Sequence, residues 1–348
     1  MKKILAMLLA LTTALSLFAF AACGNEEKEQ YSGGSGSPAE KIIRVYAPDG
    51  APALAISKFI ADGETFGIDQ DVEYSVIAAD TIQTIVDSAD VIVMPVNLAT
   101  KIYSANASDP LKMAGVITHG NLYLMAKDDI TLEDLKGKVV GVANLANVPG
   151  LTFKAVLKEK GIEFETSDEP IEGKVALKGY TGQELMVALK TGAVSVGLMP
   201  EPIASKLVST TPEFKFALDL QELYDSSAKA YPQAVVMVRS YILENYPEFV
   251  DNFASRIDSA MDWVKENTEE AAAAIASVLA EGVTQSINAQ NLTAQVVDNC
   301  KIYFESASIA KDSVKDYIAK IRAIAPAAAN EVGDDFYAVS LDGKVILD

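Results

Sequence analysis

The feature that most constrains this sequence is an internal repeat. The segment Val91–Ser104 (VIVMPVNLATKIYS) recurs as Val196–Ser209 (VGLMPEPIASKLVS). Each copy begins with a short apolar run and continues with helical periodicity after a proline suited to the first helical turn. Upstream, Ile42–Ile60 resembles Val139–Leu157 as strand, proline-containing loop and helix. The repeat therefore predicts that one strand–helix unit is built twice, in two similar lobes with a cleft between them.

Length and apolar content agree with two lobes. The chain has 348 residues, of which 50% are hydrophobic, so each lobe can bury a core of its own. Near-continuous apolar runs such as Val175–Tyr180 favour mostly parallel strands covered on both faces. A period of 3.6 from Tyr241 to Ile324 predicts a helical C-terminal region, including a helix over 286–306. We expect an α/β fold of two similar lobes, with mostly parallel sheets flanked by helices and with two crossovers beside a ligand cleft.

The crossovers set the expected boundaries. Gly120 lies between the two repeats and permits unusual backbone angles, so 119–121 is the expected first crossover. The apolar segment Tyr231–Arg239 precedes the helical region and is the expected return. Lobe 1 is thus predicted to contain 41–118 and 235–348, and lobe 2 to contain 119–234.

The N-terminus predicts export. Residues 1–22 contain two lysines, an apolar run and small residues, which is typical of a signal peptide, although the run is also just long enough to cross a membrane. Ala21 and Ala22 directly precede Cys23, which resembles the lipobox of bacterial lipoproteins and implies that Cys23 carries lipid. The polar, Gly- and Ser-rich segment 23–40 is the expected flexible tether. We expect a protein anchored by lipid on the extracytoplasmic face of the cell membrane.

Several function classes are disfavoured. The net charge of −19 argues against a nucleic-acid partner, which would need clustered lysine and arginine. One histidine and no cysteine pair give no basis for a histidine- or zinc-based metal site, and no nucleotide or hydrolase motif occurs. No catalytic residue, cofactor or metal is therefore predicted, although an enzyme acting through carboxylates alone stays open.

Ligands of parallel sheets bind beyond the carboxyl ends of the strands, where helix N-termini offer free N–H groups. The loops 48–52, 95–98, 144–150 and 200–202 have this position, and the first crossover borders them. The predicted ligand contacts are Asp49, Gly50, Ala51, Pro95, Asn97, Leu98, His119, Gly120, Asn121, Asn147, Val148, Pro149 and Glu201.

Structural explanations compete for five of these contacts. Asp49 suits a Pro-Asp-Gly turn, and Glu201 suits a favourable place near a helix N-terminus. Asn97 and Asn147 are both suited to capping helices. For His119, the competing explanation is a buried structural histidine.

The order of these segments, the DGAPA and MPEP loops and the lipobox resemble the periplasmic-binding-protein-like substrate-binding lipoproteins of ABC importers. The resemblance covers Lys41–Ala325 and is nearest to the branch that binds nitrate, sulfonates, taurine or the pyrimidine precursor of thiamine. It implies a type II fold whose lobes close on a small solute and deliver it to a membrane permease. A single chain without an exposed repeat seam predicts a monomer.

The four loops contain two carboxylates and no lysine or arginine. Asp49 and Glu201 favour a ligand that donates hydrogen bonds or carries positive charge, such as a nitrogenous heterocycle of the thiamine-precursor type. Sulfonate, taurine or nitrate bound by backbone N–H groups are the alternative ligands. The alternative functions are an extracytoplasmic enzyme acting through Glu201 or Asp49, and a ligand sensor of the same fold.

Overall fold

The computed structural model describes residues 42–105, 109–225 and 230–338. The expected signal peptide, tether and lipidated Cys23 lie outside these residues. Within the described ranges, no helix combines the length and apolarity needed to cross a membrane.

The described residues form twelve strands and thirteen α-helices. The strands are β1 Ile43–Pro48, β2 Val72–Ile77, β3 Val91–Pro95, β4 Leu111–Thr118, β5 Leu122–Ala126, β6 Val139–Ala143, β7 Phe164–Thr166, β8 Val175–Tyr180, β9 Val196–Pro200, β10 Lys215–Asp219, β11 Ala234–Arg239 and β12 Ile302–Ser306. The helices are α1 Ala51–Asp62, α2 Ile82–Ile85, α3 Val96–Ala105, α4 Val148–Glu159, α5 Gly182–Thr191, α6 Ile203–Thr210, α7 Leu220–Tyr224, α8 Ser240–Asn245, α9 Pro247–Ser255, α10 Ile257–Glu266, α11 Thr268–Ser277, α12 Ala294–Asn299 and α13 Ala307–Ile324.

The strands form two six-stranded sheets, with orders β12-β4-β11-β3-β1-β2 and β10-β5-β9-β6-β8-β7. In the first sheet β1 pairs in parallel with β2 and β3, and in the second β6 pairs in parallel with β8 and β9. The strands beyond β3 and β9 pair antiparallel, so both sheets are mixed. The predicted α/β class with two similar lobes is confirmed.

The internal repeat appears directly in the strand orders. The series β2-β1-β3-β11-β4 in the first sheet corresponds to β8-β6-β9-β5-β10 in the second. In each series the fourth strand has crossed over from the opposite sheet: β5 follows β4 along the chain, and β11 follows β10. The two sheets are therefore joined by exchanged strands as well as by the connecting segments.

Helices cover both faces of the first sheet. One face packs against α1 and α9–α12 in a core that includes the buried Phe59, Phe249 and Phe253. The other packs against α3 and α13. Strand β3 is buried along nearly its whole length, as expected for a strand covered on both sides. Cys300, the free cysteine of the described residues, is buried in the first of these cores.

The prediction of a helix over 286–306 is wrong. Only α12 forms there, after irregular backbone, and β12 then pairs antiparallel with β4. Without β12, the edge of β4 would keep unpaired N–H and C=O groups, and the Ile-Tyr-Phe sequence of β12 suits a strand.

Helix α13 contacts both lobes. The Tyr317 hydroxyl lies 2.5 Å from Thr152 Oγ1 on α4, and the Tyr317 ring stacks on Tyr231 with centroids 5.6 Å apart. Tyr231 and Tyr317 are fully buried. One hydrophobic core therefore continues from the first sheet through α13 to α4 beside the second sheet.

Candidate functional site

Strand register places the predicted loops along two sheet edges. In the first sheet Pro95 pairs with Ala234, which in turn pairs with Thr118, so β3, β11 and β4 reach the same edge. In the second sheet Leu122 pairs with Pro200, which brings the start of β5 beside the end of β9. Residues 119–121 connect these two edges directly. The loops that follow β1, β3, β6 and β9 therefore lie along the edges that the crossovers join.

Asp49 follows β1 and has one unused carboxylate oxygen. Its Oδ2 accepts a hydrogen bond from the Ser286 backbone N–H at 2.9 Å. Its Oδ1 is buried and has no hydrogen-bond partner among the described residues. Burial raises the pKa of Asp49, and the hydrogen bonds from Ser286 partly oppose that rise. A donor from a ligand would satisfy Oδ1 and stabilise the ionised carboxylate.

Two helices, one beside each sheet, begin at predicted loops without a side-chain cap. Gly50, with a φ of 108°, occupies the N-cap position of α1 and has no side chain with which to cap it. Asn147 occupies the N-cap position of α4, but its side chain makes no capping bond. Helix α5, by contrast, has a complete capping box from Thr181 and Glu184. The interpretation of Asn147 as a cap is therefore wrong: its side chain is exposed and makes no capping bond. Ala51 and Val148 are buried at the first turns, and Pro149 is half-buried.

The loop after β3 is held by protein contacts. The Val96 backbone N–H donates to the Gln233 carbonyl at 3.1 Å, and Asn97 Nδ2 donates to the Ala328 carbonyl at 3.1 Å. Asn97 is buried, whereas Pro95 and Leu98 are half-buried. The Asn97 amide thus binds the C-terminal segment after α13.

Glu201 uses both carboxylate oxygens within the protein. Oε1 accepts from Ser205 Oγ at 2.7 Å and from Asn299 Nδ2 at 2.8 Å, and Oε2 accepts from the Ser205 N–H at 3.0 Å. The residue is 2% exposed, and burial raises its pKa while these hydrogen bonds oppose the rise. Glu201 therefore stabilises the first turn of α6 and joins it to the end of α12.

The two crossovers meet in a buried polar cluster. Asn121 Oδ1 accepts from Gln233 Nε2 at 2.9 Å, and Asn121 Nδ2 donates to the Glu201 carbonyl at 3.3 Å. Gln233 Oε1 and Thr118 Oγ1 are buried without hydrogen-bond partners among the described residues. Gly120 has a φ of 83°, and a Cβ there would lie 2.8 Å from the Gln221 side chain. Gln233 was not predicted, although it is the one strongly polar residue in the apolar segment 231–238.

His119 lies at the end of β4. The residue is 3% exposed, and its ring stacks on Tyr303 with centroids 3.6 Å apart. Burial lowers the pKa of His119, and the nearby Glu305 carboxylate opposes this effect. Glu305 Oε2 lies 3.7 Å from Nε2, beyond hydrogen-bond distance. Tyr303 belongs to the strand that the sequence pattern missed.

The predicted residues thus form separate groups. Asn121 and Glu201 are in contact, whereas no hydrogen bond among the described residues joins either of them to Asp49 or Asn147. His119 lines a cavity that none of these four residues lines. Within the described ranges, no group of three or more His, Cys, Asp or Glu residues is arranged to hold a metal ion. Asp49 Oδ1 and the uncapped helix starts offer hydrogen-bonding groups to a ligand.

Comparisons with solved structures address the fold. An ABC transporter protein from Parabacteroides distasonis is 19% identical, with a TM-score of 0.70, over 87% of this chain and 100% of its own. The periplasmic aliphatic sulphonate binding protein of Escherichia coli is 14% identical, with a TM-score of 0.64, over 88% of this chain and 95% of its own. A Candida albicans protein described by the generic periplasmic binding protein fold is 15% identical, with a TM-score of 0.50, over 85% of this chain and 93% of its own.

No protein-family model matches the sequence, and no curated protein matches it. At the identities above, structural similarity is evidence for the fold alone. With its two mixed sheets and exchanged crossover strands, the chain has the two-lobed fold of the periplasmic binding proteins.

Proposed function

We propose that this protein is the solute-binding component of an ABC importer, anchored through a lipid on Cys23 at the extracytoplasmic face of the membrane. It captures a small polar molecule between lobe 1 (41–118 and 235–348) and lobe 2 (119–234) and delivers it to a permease. The observation that carries this proposal is the unused, buried Oδ1 of Asp49. The protein acts as a monomer.

The proposed ligand is a nitrogenous heterocycle such as an aminopyrimidine. Its amino group donates to Asp49 Oδ1, and its ring nitrogens accept from backbone N–H groups at the uncapped starts of α1 and α4. One ligand then satisfies groups on both lobes, which favours the closed arrangement because an open cleft loses half of those bonds.

A sulfonate is the second candidate ligand. The same uncapped helix starts suit an anion, and the similar protein from Escherichia coli is described as binding aliphatic sulphonates. A sulfonate leaves Asp49 Oδ1 unsatisfied and puts two anionic groups in one cleft, so we rank it below the heterocycle.

The melting temperature of the full chain tests both ligands. The protein is purified under denaturing conditions and refolded, which removes any ligand carried through expression. It is then heated with aminopyrimidines, amines, amino acids, nitrate and sulfonates separately. A ligand at a hundredfold excess over its Kd stabilises the folded state by about 2.7 kcal/mol. A rise with aminopyrimidines is expected, a rise with sulfonates alone selects the second candidate, and no rise with any solute contradicts the proposal.

A further inference from the structure

The segment that connects α11 to α12 is irregular but fixed in place. Residues 278–293 form no helix and none of the twelve strands. The start of the segment is bonded to the edge of β2: the Val76 N–H donates to the Val278 carbonyl, and the Ala280 N–H donates to the Val76 carbonyl, both at 2.8 Å. Further along, Ile287 is buried in the core beside the first sheet. Long irregular connections are uncommon in compact folds and often belong to a functional site.

This segment contacts Asp49 through the backbone of Ser286. The Ser286 N–H donates to Asp49 Oδ2 at 2.9 Å, although the two residues are 237 positions apart. Asp49 as a whole is half-buried, and its Oδ1 has no hydrogen-bond partner among the described residues. The terminal torsion of an aspartate is broad, so the side chain's own rotamer preference does not fix the plane of the carboxylate. The Ser286 donor therefore decides how the carboxylate is oriented.

The Asn291 amide holds Ser286 in place. Its Nδ2 donates to the Ser286 carbonyl at 2.7 Å, and its Oδ1 accepts from the Asn288 N–H at 2.8 Å. The Asn291 backbone N–H also donates to the Asn288 carbonyl at 3.0 Å, which closes the turn. On the other side of Ser286, Gln285 Nε2 donates to the Ala272 carbonyl of α11 at 2.9 Å. Ser286 is thus restrained on both sides, and Asn291 contributes with both ends of its amide.

We propose that Asn291 is a positioning residue of the ligand site: by fixing the Ser286 N–H against Asp49 Oδ2, it leaves Oδ1 oriented for the ligand. This inference rests on the proposed function, since it needs Asp49 to recognise the solute. A carboxylate that is already oriented costs less to engage than one that must first be ordered. Asn291 therefore adds affinity without touching the ligand.

The pKa of Asp49 reports on this arrangement. Burial raises the pKa, and hydrogen bonds from Ser286 and Gly50 lower it. These hydrogen bonds stabilise the ionised carboxylate, so loss of the Ser286 contact should raise the pKa further. A loss of stability elsewhere in the protein would leave this pKa unchanged, because the folded state would keep the contact.

The experiment measures this pKa and the ligand affinity in the same variants. The refolded full chain is labelled with ¹³C at the aspartate carboxyl carbons, and the Asp49 signal is assigned by its absence in Asp49→Asn. In Asn291→Ala, which removes both side-chain bonds, an NMR titration without ligand should show a pKa of Asp49 raised by about one unit. Calorimetric titration with 4-amino-2-methylpyrimidine at about pH 7.5 should show an affinity roughly fivefold lower than that of the wild type.

Two further variants complete the comparison. Asn252→Ala is the matched control, because Asn252 is also half-buried and its Nδ2 donates to the Phe66 carbonyl at 3.0 Å. It should lower stability comparably and leave both the pKa of Asp49 and the affinity unchanged. Asn291→Gln keeps an amide but displaces it by one methylene group, so that its two bonds cannot both form. It should raise the pKa less than the alanine variant does, and it serves if that variant does not fold.

An unchanged pKa of Asp49 in Asn291→Ala, or an equal rise in Asn252→Ala, would overturn the inference. A raised pKa with the affinity of the wild type would also overturn it, because the orientation of Asp49 would then have no consequence for the ligand. If the wild type binds no aminopyrimidine while the pKa still rises in Asn291→Ala alone, the proposed function fails and the orientation of Asp49 by Asn291 stands. The NMR titration needs no ligand, so the two failures are distinguishable.

Discussion

At the scale of single residues, the two predicted ligand carboxylates have different environments. Both residues follow strands that end at the sheet edges connected by the crossovers. The sequence alone does not distinguish between the two carboxylates. Glu201 accepts three hydrogen bonds from Ser205 and Asn299, whereas Asp49 has one buried oxygen without a partner. Ser286 and Asn299 lie far along the chain from the groups they bind, so a local sequence pattern contains no signal for either contact.

Replacing Glu201 by alanine should destabilise the protein. The change leaves the Asn299 amide and two donors of Ser205 without their acceptor, which we expect to lower the free energy of unfolding by about 2–4 kcal/mol. Urea unfolding measures the change. Glu222→Ala removes an exposed carboxylate and should stay within about 0.5 kcal/mol of the wild type. Equal stabilities of the two variants would contradict the assignment of Glu201 as a structural link.

Replacing Asp49 by asparagine should change how stability depends on pH. Burial raises the pKa of Asp49 in the folded protein, so the folded state binds this proton more tightly than the unfolded chain does. The free energy of unfolding contributed by Asp49 is therefore largest below its unfolded pKa and decreases as the pH rises through its folded pKa.

Asparagine can still accept from the Ser286 N–H, but it does not ionise. We expect the Asp49→Asn variant to lose this pH-dependent decrease and to be at least as stable as the wild type at pH 7. Urea unfolding at several pH values from about 4 to 7 provides the comparison. If the stability of the wild type instead rises with pH relative to the variant, the folded protein stabilises the ionised carboxylate, and the raised pKa is contradicted.

At the scale of elements, the sequence predicts a strand or helix most clearly where hydrophobic periodicity and the residues of the flanking loops agree. Strand β8 begins and ends at the residues of the predicted apolar run, Val175–Tyr180. Strand β12 was missed because its apolar residues also fit a helical period, and only the open edge of β4 selects the strand. Strand pairing and strand direction depend on tertiary contacts. The sequence therefore did not indicate that about half of the strand pairs in each sheet are antiparallel.

The starts of α4 and α5 form a matched pair for mutation. Thr181→Ala removes the capping box of α5 and should lower the free energy of unfolding by about 1 kcal/mol. Asn147→Ala removes an N-cap side chain that makes no capping bond, so we expect stability within about 0.5 kcal/mol of the wild type. Urea unfolding of both variants tests the distinction. A larger loss for Asn147→Ala than for Thr181→Ala would mean that Asn147 does cap α4.

At the scale of the whole molecule, the exchange of β5 and β11 explains why two similar lobes form one unit. Each sheet contains a strand delivered by a crossover from the other sheet, and α13 adds a shared core through Tyr317. Internal similarity predicted the two lobes, but it contained no information about the side chains between them. Gln233, Tyr303 and Asn299 are therefore known only from the structure.

This arrangement also limits how the lobes can move. A rotation that opens the cleft must be absorbed by 119–121 and by the segment before β11, where Asn121 and Gln233 are hydrogen-bonded to each other. A ligand that bridges the starts of α1 and α4 would favour the closed arrangement over the open one. The proposed function therefore depends on whether the protein binds such a ligand.

The most direct test is a calorimetric titration of 4-amino-2-methylpyrimidine into the refolded, ligand-free protein. We predict saturable binding to the wild type, an affinity at least about tenfold lower for Asp49→Asn because a charge-assisted hydrogen bond is lost, and unchanged affinity for Thr181→Ala. No binding to the wild type, or equal affinities for wild type and Asp49→Asn, would contradict the claim that Asp49 recognises a hydrogen-bond-donating solute in the cleft.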